Sequence, residues 1–221
     1  MPIHPKTITV FLDPSPSSVR RVAHAIEFAK RWNAHLVGVH VVYKGAVLHP
    51  SAAFARSEKA MAQVVAHERR MDEACEGARD ELGDWFLQQC ATAGLSAEFR
   101  PITRDKTVDA AIISSLHSDL MIIGHPEPSG LPDDMSAEQI LLATRVPLLI
   151  IPNDWRGETI GERIMIGWNA SPEVRRAVAD ATCLLVEAAS VKALVVDPAG
   201  CKWLSGQVGC DIVQHLGRHG A

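Results

Sequence analysis

The sequence predicts an α/β fold built on an open parallel sheet of five strands with helices on both faces, followed by a partial second copy of the same plan. Three observations carry this. Short apolar runs bounded by turn residues alternate with stretches of helical period. Leu120-Met121-Ile122-Ile123-Gly124 is apolar throughout, as a central parallel strand is when both its faces are covered. A strand-turn-helix segment around residue 13 recurs around residue 169.

Ile8–Leu12 is the first strand, and Asp13-Pro14-Ser15-Pro16-Ser17-Ser18 after it is turn and N-cap material, because its side-chain oxygens can accept from free helix N–H groups. In the helix that follows, Val19, Val22, Ala23, Ile26 and Ala29 fall on one face, with Arg20, Arg21, Glu27, Lys30 and Arg31 elsewhere. Leu36–Val42 is the second strand. From Ser57 to Cys90 the Ala, Glu, Arg, Met and Gln content predicts one long helix ending near Ala93-Gly94. Ala97–Ile102 is the third strand. A short helix over Val108–Leu116 leads to the fourth, Leu120–Gly124; a loop rich in Pro, Gly and acid runs from His125 to Asp134. Helix Ser136–Ala143 precedes a fifth strand, Pro147–Pro152. Residues 1–152 thus make one complete domain and 153–162 a connector.

Residues 163–221 begin the pattern again. Arg163–Trp168 is a strand, and Asn169-Ala170-Ser171-Pro172-Glu173-Val174-Arg175-Arg176 restates Asp13 to Arg21 with one residue deleted. Val174, Ala177, Val178, Ala181 and Leu185 form a helical stripe, Val191–Val196 is a strand, and Trp203–His219 is partly helical. The copy stops before a fourth strand, so its first strand is expected to leave an apolar edge that the first domain or a second chain covers.

Over 221 residues, 47% hydrophobic and 22% charged content exclude a disordered or fibrous chain. The balance of 22 Lys plus Arg against 26 Asp plus Glu gives a net charge of -4, which provides no basic field for nucleic acid. No apolar run reaches the roughly 20 residues that span a bilayer. Met1–Asp13 lacks the pattern of a secretion signal. The expectation is a cytoplasmic protein with neither nucleic acid nor membrane as partner. Cys75, Cys90, Cys183, Cys201 and Cys210, odd in number and without CxxC pairing, are expected as free thiols.

Leu12-Asp13 before a Ser-rich turn, Asp119–Gly124 as fourth strand, the helix into Val146–Pro152, and Ile166-Gly167-Trp168-Asn169-Ala170-Ser171-Pro172-Glu173 together resemble the universal stress protein family, especially its bacterial tandem members. The resemblance implies strand order 3-2-1-4-5, a non-catalytic stress-response role in ligand binding or signalling, and pairing of two chains through sheet edges. In nucleotide-binding members an Asp at the end of the first strand, here Asp13, meets adenine. A loop Gly-x-x-Gly-x9-Gly-Ser/Thr after the fourth strand holds the phosphates. Gly124 matches its first glycine, but Glu127 stands at the second, and Asp134-Met135 falls where Gly-Ser would precede the helix.

The candidate site residues are therefore Asp13 and Val41 at the adenine end and Gly124, Glu127 and Gly130 in the loop, with ATP or another adenine nucleotide as the candidate ligand. Pro126, Pro128 and Pro132 have no N–H to offer a phosphate. Each carboxylate about 4 Å from a phosphate oxygen would repel it by about 1 kcal/mol in water, and by about 4 at an effective dielectric of 20. One helix N-terminus returns at most about 2. The expectation is that ATP binds weakly or not at all, unless through its adenine end or a site between chains. Ser114, Ser115, His117 and Asp119 crowd together but do not converge, and no Gly-x-Ser-x-Gly elbow occurs. Cys201, Cys210, His215 and His219 carry zinc-ligand chemistry, with a Cys201–Cys210 gap too long for a knuckle, so zinc is the rival reading and no metal ligand is assigned.

Overall fold

The computed structural model describes residues 4–43, 58–104, 117–131, 135–195 and 209–221. They divide into two compact units, Pro5–Trp155 and one containing Arg156–Ala221. The expected helix at 108–116, Pro132–Asp134, Cys201 and the start of the 203–219 segment lie outside the described residues.

The first unit is a five-stranded, wholly parallel sheet in the order β3-β2-β1-β4-β5. Its strands are β1 (Thr7–Phe11), β2 (His35–Tyr43), β3 (Ala97–Arg104), β4 (Leu120–His125) and β5 (Leu148–Pro152), and its helices α1 (Pro16–Trp32), α2 (Glu58–Thr92) and α3 (Ala137–Thr144). Strand alternation sorts the core. Phe11, Val37, Val39, Met121 and Ile123 cluster with Ile140 of α3, while Ile8, Val10, Leu36 and Ile122 occupy the alternate positions and are also fully buried. Asp119 fastens the start of the sheet, since its Oδ2 accepts the N–H groups of Lys6 and Thr7 at 2.8 and 2.9 Å.

Helix α1 turns a different face inward from the one its apolar residues predict. Arg21, Val22, Ala25, Phe28, Ala29 and Trp32 are buried, whereas Val19 is 52% exposed. Helical spacing from Phe28 and Trp32 dictates this face, because two large rings bury more apolar surface than Val19 does.

The second unit holds β6 (Arg163–Gly167) and β7 (Ser190–Leu194), paired in parallel, with α4 (Pro172–Asp180), α5 (Thr182–Glu187) and α6 (Cys210–His219). The single stripe expected from Val174 to Leu185 is broken at Ala181 into two helices. Ile166, Val178, Leu185, Ile212 and Leu216 form its core. Among the described residues no helix is long and apolar enough to cross a membrane.

Candidate functional site

In an open parallel sheet, ligands bind beyond the C-terminal ends of the strands. Asp13, Arg21, Glu127, Ser129 and Asn153 stand there in the first unit. Asp13 leaves β1 one residue after Leu12, and both its oxygens are engaged: Oδ1 accepts from the Ser15 N–H at 2.8 Å and Oδ2 from Arg21 Nη2 at 2.6 Å. Arg21 is 1% exposed. Its Nη1 donates to the Ser129 carbonyl, and its Nε has no hydrogen-bond partner among the described residues. Burial pulls the guanidinium pKa below its ordinary value, while Asp13, by charge and hydrogen bond, and Glu127, by charge, pull it back. A guanidinium stays protonated under such pressure, so this is a buried ion pair rather than a neutral contact.

The loop after β4 closes on itself. Gly124 N–H donates to the Ser129 carbonyl at 2.9 Å, and Leu131 N–H to Ser129 Oγ at 3.1 Å. Ser129 N–H donates to Glu127 Oε2 at 2.9 Å and its hydroxyl to Oε1 at 3.0 Å. Asn153 Nδ2 ties down the carbonyls of Pro126 and Pro128. A carboxylate of the chain thus takes the kind of N–H group that a bound phosphate would use.

The two loop glycines serve close approach to the protein's own atoms. A Cβ on Gly130, whose φ is +83°, would lie 2.7 Å from the Phe11 carbonyl carbon and oxygen. One on Gly124 would lie 2.6 Å from Asn153 Oδ1 and 2.8 Å from Arg21 Nη1. Val41 is half-buried against the cluster around Phe11 and Ile123. His40 Nδ1 donates to the Leu12 carbonyl at 2.8 Å.

Between this loop and α3 lies an open cavity of about 640 Å³ whose lining includes Gly124, His125, Glu127, Ser136 and Glu138. The first turn of α3 spends its own donors. Ser136 Oγ accepts from the Gln139 N–H at 3.3 Å, and Gln139 Oε1 accepts from the Ser136 N–H at 2.9 Å. The Ser136 hydroxyl and the backbone N–H of Glu138 hold the Glu138 carboxyl below the usual carboxylate range. Among the described residues the cavity therefore presents two carboxylates and a capped helix end.

All five residues singled out from sequence thus stand at the strand ends or in the β4 loop. The residues that tie them together, Arg21, Ser129 and Asn153, were not singled out. The signal for Arg21 was its place in the series Arg21, Ala25, Phe28, Trp32, which shares a helix face. Asp119 belongs to the opposite end of the sheet, where it anchors β1. His215 and His219 pack with ring centroids 4.7 Å apart and their planes tilted by 55°. No cluster of three or more potential metal ligands occurs among the described residues.

The second unit repeats the turn without its charges. Trp168 N–H donates to the Leu194 carbonyl at 2.8 Å, as Leu12 does to Val39 at 2.7 Å. Asn169 Oδ1 accepts from the Ser171 N–H at 2.9 Å, matching Asp13 and Ser15. Ser171 and Ser15 both cap a helix with Pro in its first turn. The two segments run in step, residue for residue, from Thr7 against Arg163 to Val22 against Val178, so the expected one-residue deletion is absent. In this register Ala177, which is exposed, stands at the place of Arg21.

Residues 4–152 match the model of the universal stress protein family. None of the curated proteins matches the chain. A universal stress protein from Archaeoglobus fulgidus has a similar fold at 16% identity, covering 95% of this chain and 73% of that one, with a TM-score of 0.61. One from Burkholderia pseudomallei is similar at 19% identity, 66% and 96% coverage, and a TM-score of 0.47. An Arabidopsis thaliana member with AMP bound is similar at 14% identity, 66% and 91% coverage, and a TM-score of 0.42. With its family match spanning most of the sequence and its sheet in the order read from the strands, the chain belongs to the universal stress protein family.

Proposed function

We propose that this protein is a non-catalytic, cytoplasmic stress-response module that binds or signals without an ATP phosphate cradle. The observation that carries the reading is the engagement of Ser129 N–H by Glu127, which fills an anion position with the chain's own carboxylate. Both oxygens of Asp13 are likewise taken, which leaves neither free of a protein donor for adenine. A phosphate in the adjoining cavity would face Glu127 and Glu138 against a capped helix end, and the repulsion exceeds what that end returns. The protein is expected to act as a homodimer. Support comes from β5, an edge strand with Ile150 44% exposed, and from Leu142 on α3, 77% exposed.

Mass spectrometry of a heat extract of the purified protein tests the reading. It should contain no adenine nucleotide in proportion to protein. A stoichiometric amount of ATP, ADP or AMP would favour the nucleotide-binding alternative.

A further inference from the structure

We propose that the Arg156–Ala221 unit carries a site of its own for a small aromatic carboxylate, in the groove between α4 and α6. The groove encloses about 570 Å³, within the range of about 300–1,000 Å³ common for small-molecule sites. Its floor is apolar: Trp168 is half-buried, and Val178 and Ile212 are 6% and 3% exposed. Arg175 and Arg176 line it from α4, and Asp211 and His215 from α6.

The charge of the groove comes from α4 itself: in the register of the two segments Arg176 stands at the place of Arg20 and Arg175 at that of Val19. In the first unit a carboxylate at the end of β1 draws an arginine into the interior. In the second, Asn169 has no charge to offer and the exposed Ala177 stands at the place of Arg21. The arginines of α4 stay on the outer surface, where they reach the groove. Arg176 is fixed there through its Nε, which donates to Asp180 at 2.7 and 2.9 Å. Asp211, the one carboxylate of the lining among the described residues, sits in the first turn of α6 and complements that helix's dipole. Two guanidinium groups over an aromatic floor suit a flat apolar body carrying a carboxylate, which guanidinium binds through paired N–H donors. The cavity of the first unit, lined by Glu127 and Glu138, has no Lys or Arg among its described lining residues.

The test is a titration of the full-length, ¹⁵N-labelled protein with 1-naphthoate, following the Trp168 indole N–H signal, identified by its loss in W168F. The expected result is saturation with a Kd of about 1 mM, well short of the ceiling for so small a ligand. The Ser129 and Gly124 amides should stay still. R175Q, on the exposed rim, should weaken binding about fivefold or more, as should replacing the probe by neutral 1-naphthalenemethanol. A179W should fill the groove and abolish the shift. A Trp168 signal that stays still or never saturates would overturn the proposal, and so would equal affinity of R175Q and wild type, or of the acid and the alcohol. Should A179W fail to fold, R175Q and the neutral probe still decide.

Discussion

The two strand-turn-helix segments of this protein share a backbone and differ in their charge. Both end a parallel strand in an Asx turn, cap the next helix with serine and place proline in its first turn. In the first, an aspartate and a buried arginine form an ion pair beneath a loop; in the second, asparagine and alanine stand at the same places. The pair is thus present as a pair or absent as a pair. Physics requires this, because a buried charge without its partner costs more than the pair contributes. The turn itself needs only one side-chain oxygen, which Asn supplies as well as Asp.

The largest expected effect breaks the pair on one side. D13A leaves Arg21 buried with no carboxylate beside it and should lower unfolding free energy by about 3–5 kcal/mol. The double variant D13N/R21A converts the first segment to the second and should recover at least half of that loss in urea denaturation. If the double variant loses as much as the two single changes added together, the pair is not coupled and the comparison fails.

G130A comes next. Its Cβ would meet the Phe11 backbone at a φ that side chains rarely adopt, so thermal unfolding should show a loss of about 1–3 kcal/mol. A comparable loss is expected for E127A, which strands the Ser129 N–H, at about 1–3 kcal/mol.

Cys90 adds a pH dependence that belongs to the first unit. Burial pushes its thiol from 9.0 up to about 11. The folded state therefore favours the protonated thiol. This contribution is complete below about pH 9 and disappears as pH rises toward 11. The stability difference between wild type and C90A should shrink across that window by at most about 2–3 kcal/mol. A constant difference from pH 8 to 11 would contradict the assignment. The smallest effect is N169A, which removes the turn bond of the second segment and should cost about 0.5–1.5 kcal/mol. A loss as large as that of D13A would mean that the second turn also hides a buried partner.

Much of the fold was legible because apolar runs and turn residues are local signals. Leu120–Gly124 needed no tertiary information to be read as a central strand, and the helix expected over Ser136–Ala143 is α3, which Ser136 caps. What was not legible depends on partners distant in sequence. Arg21 looks like a surface residue until Asp13 and the Ser129 carbonyl are placed around it, and Ser129 lies over a hundred positions away. Likewise Glu127 reads as a defect in a glycine motif. Only the geometry shows it taking Ser129 N–H. The α4–α5 break at Ala181 was missed because the stripe from Val174 to Leu185 keeps its period through it.

The central claim is that the ligand end of the first sheet is filled by Asp13, Arg21 and Glu127. Isothermal calorimetry of the intact protein against Mg-ATP tests it most directly. The structure predicts heats indistinguishable from dilution at protein concentrations where a Kd of about 10 μM, near -7 kcal/mol, would give a clear one-to-one curve. Stoichiometric binding at or below that Kd would contradict it.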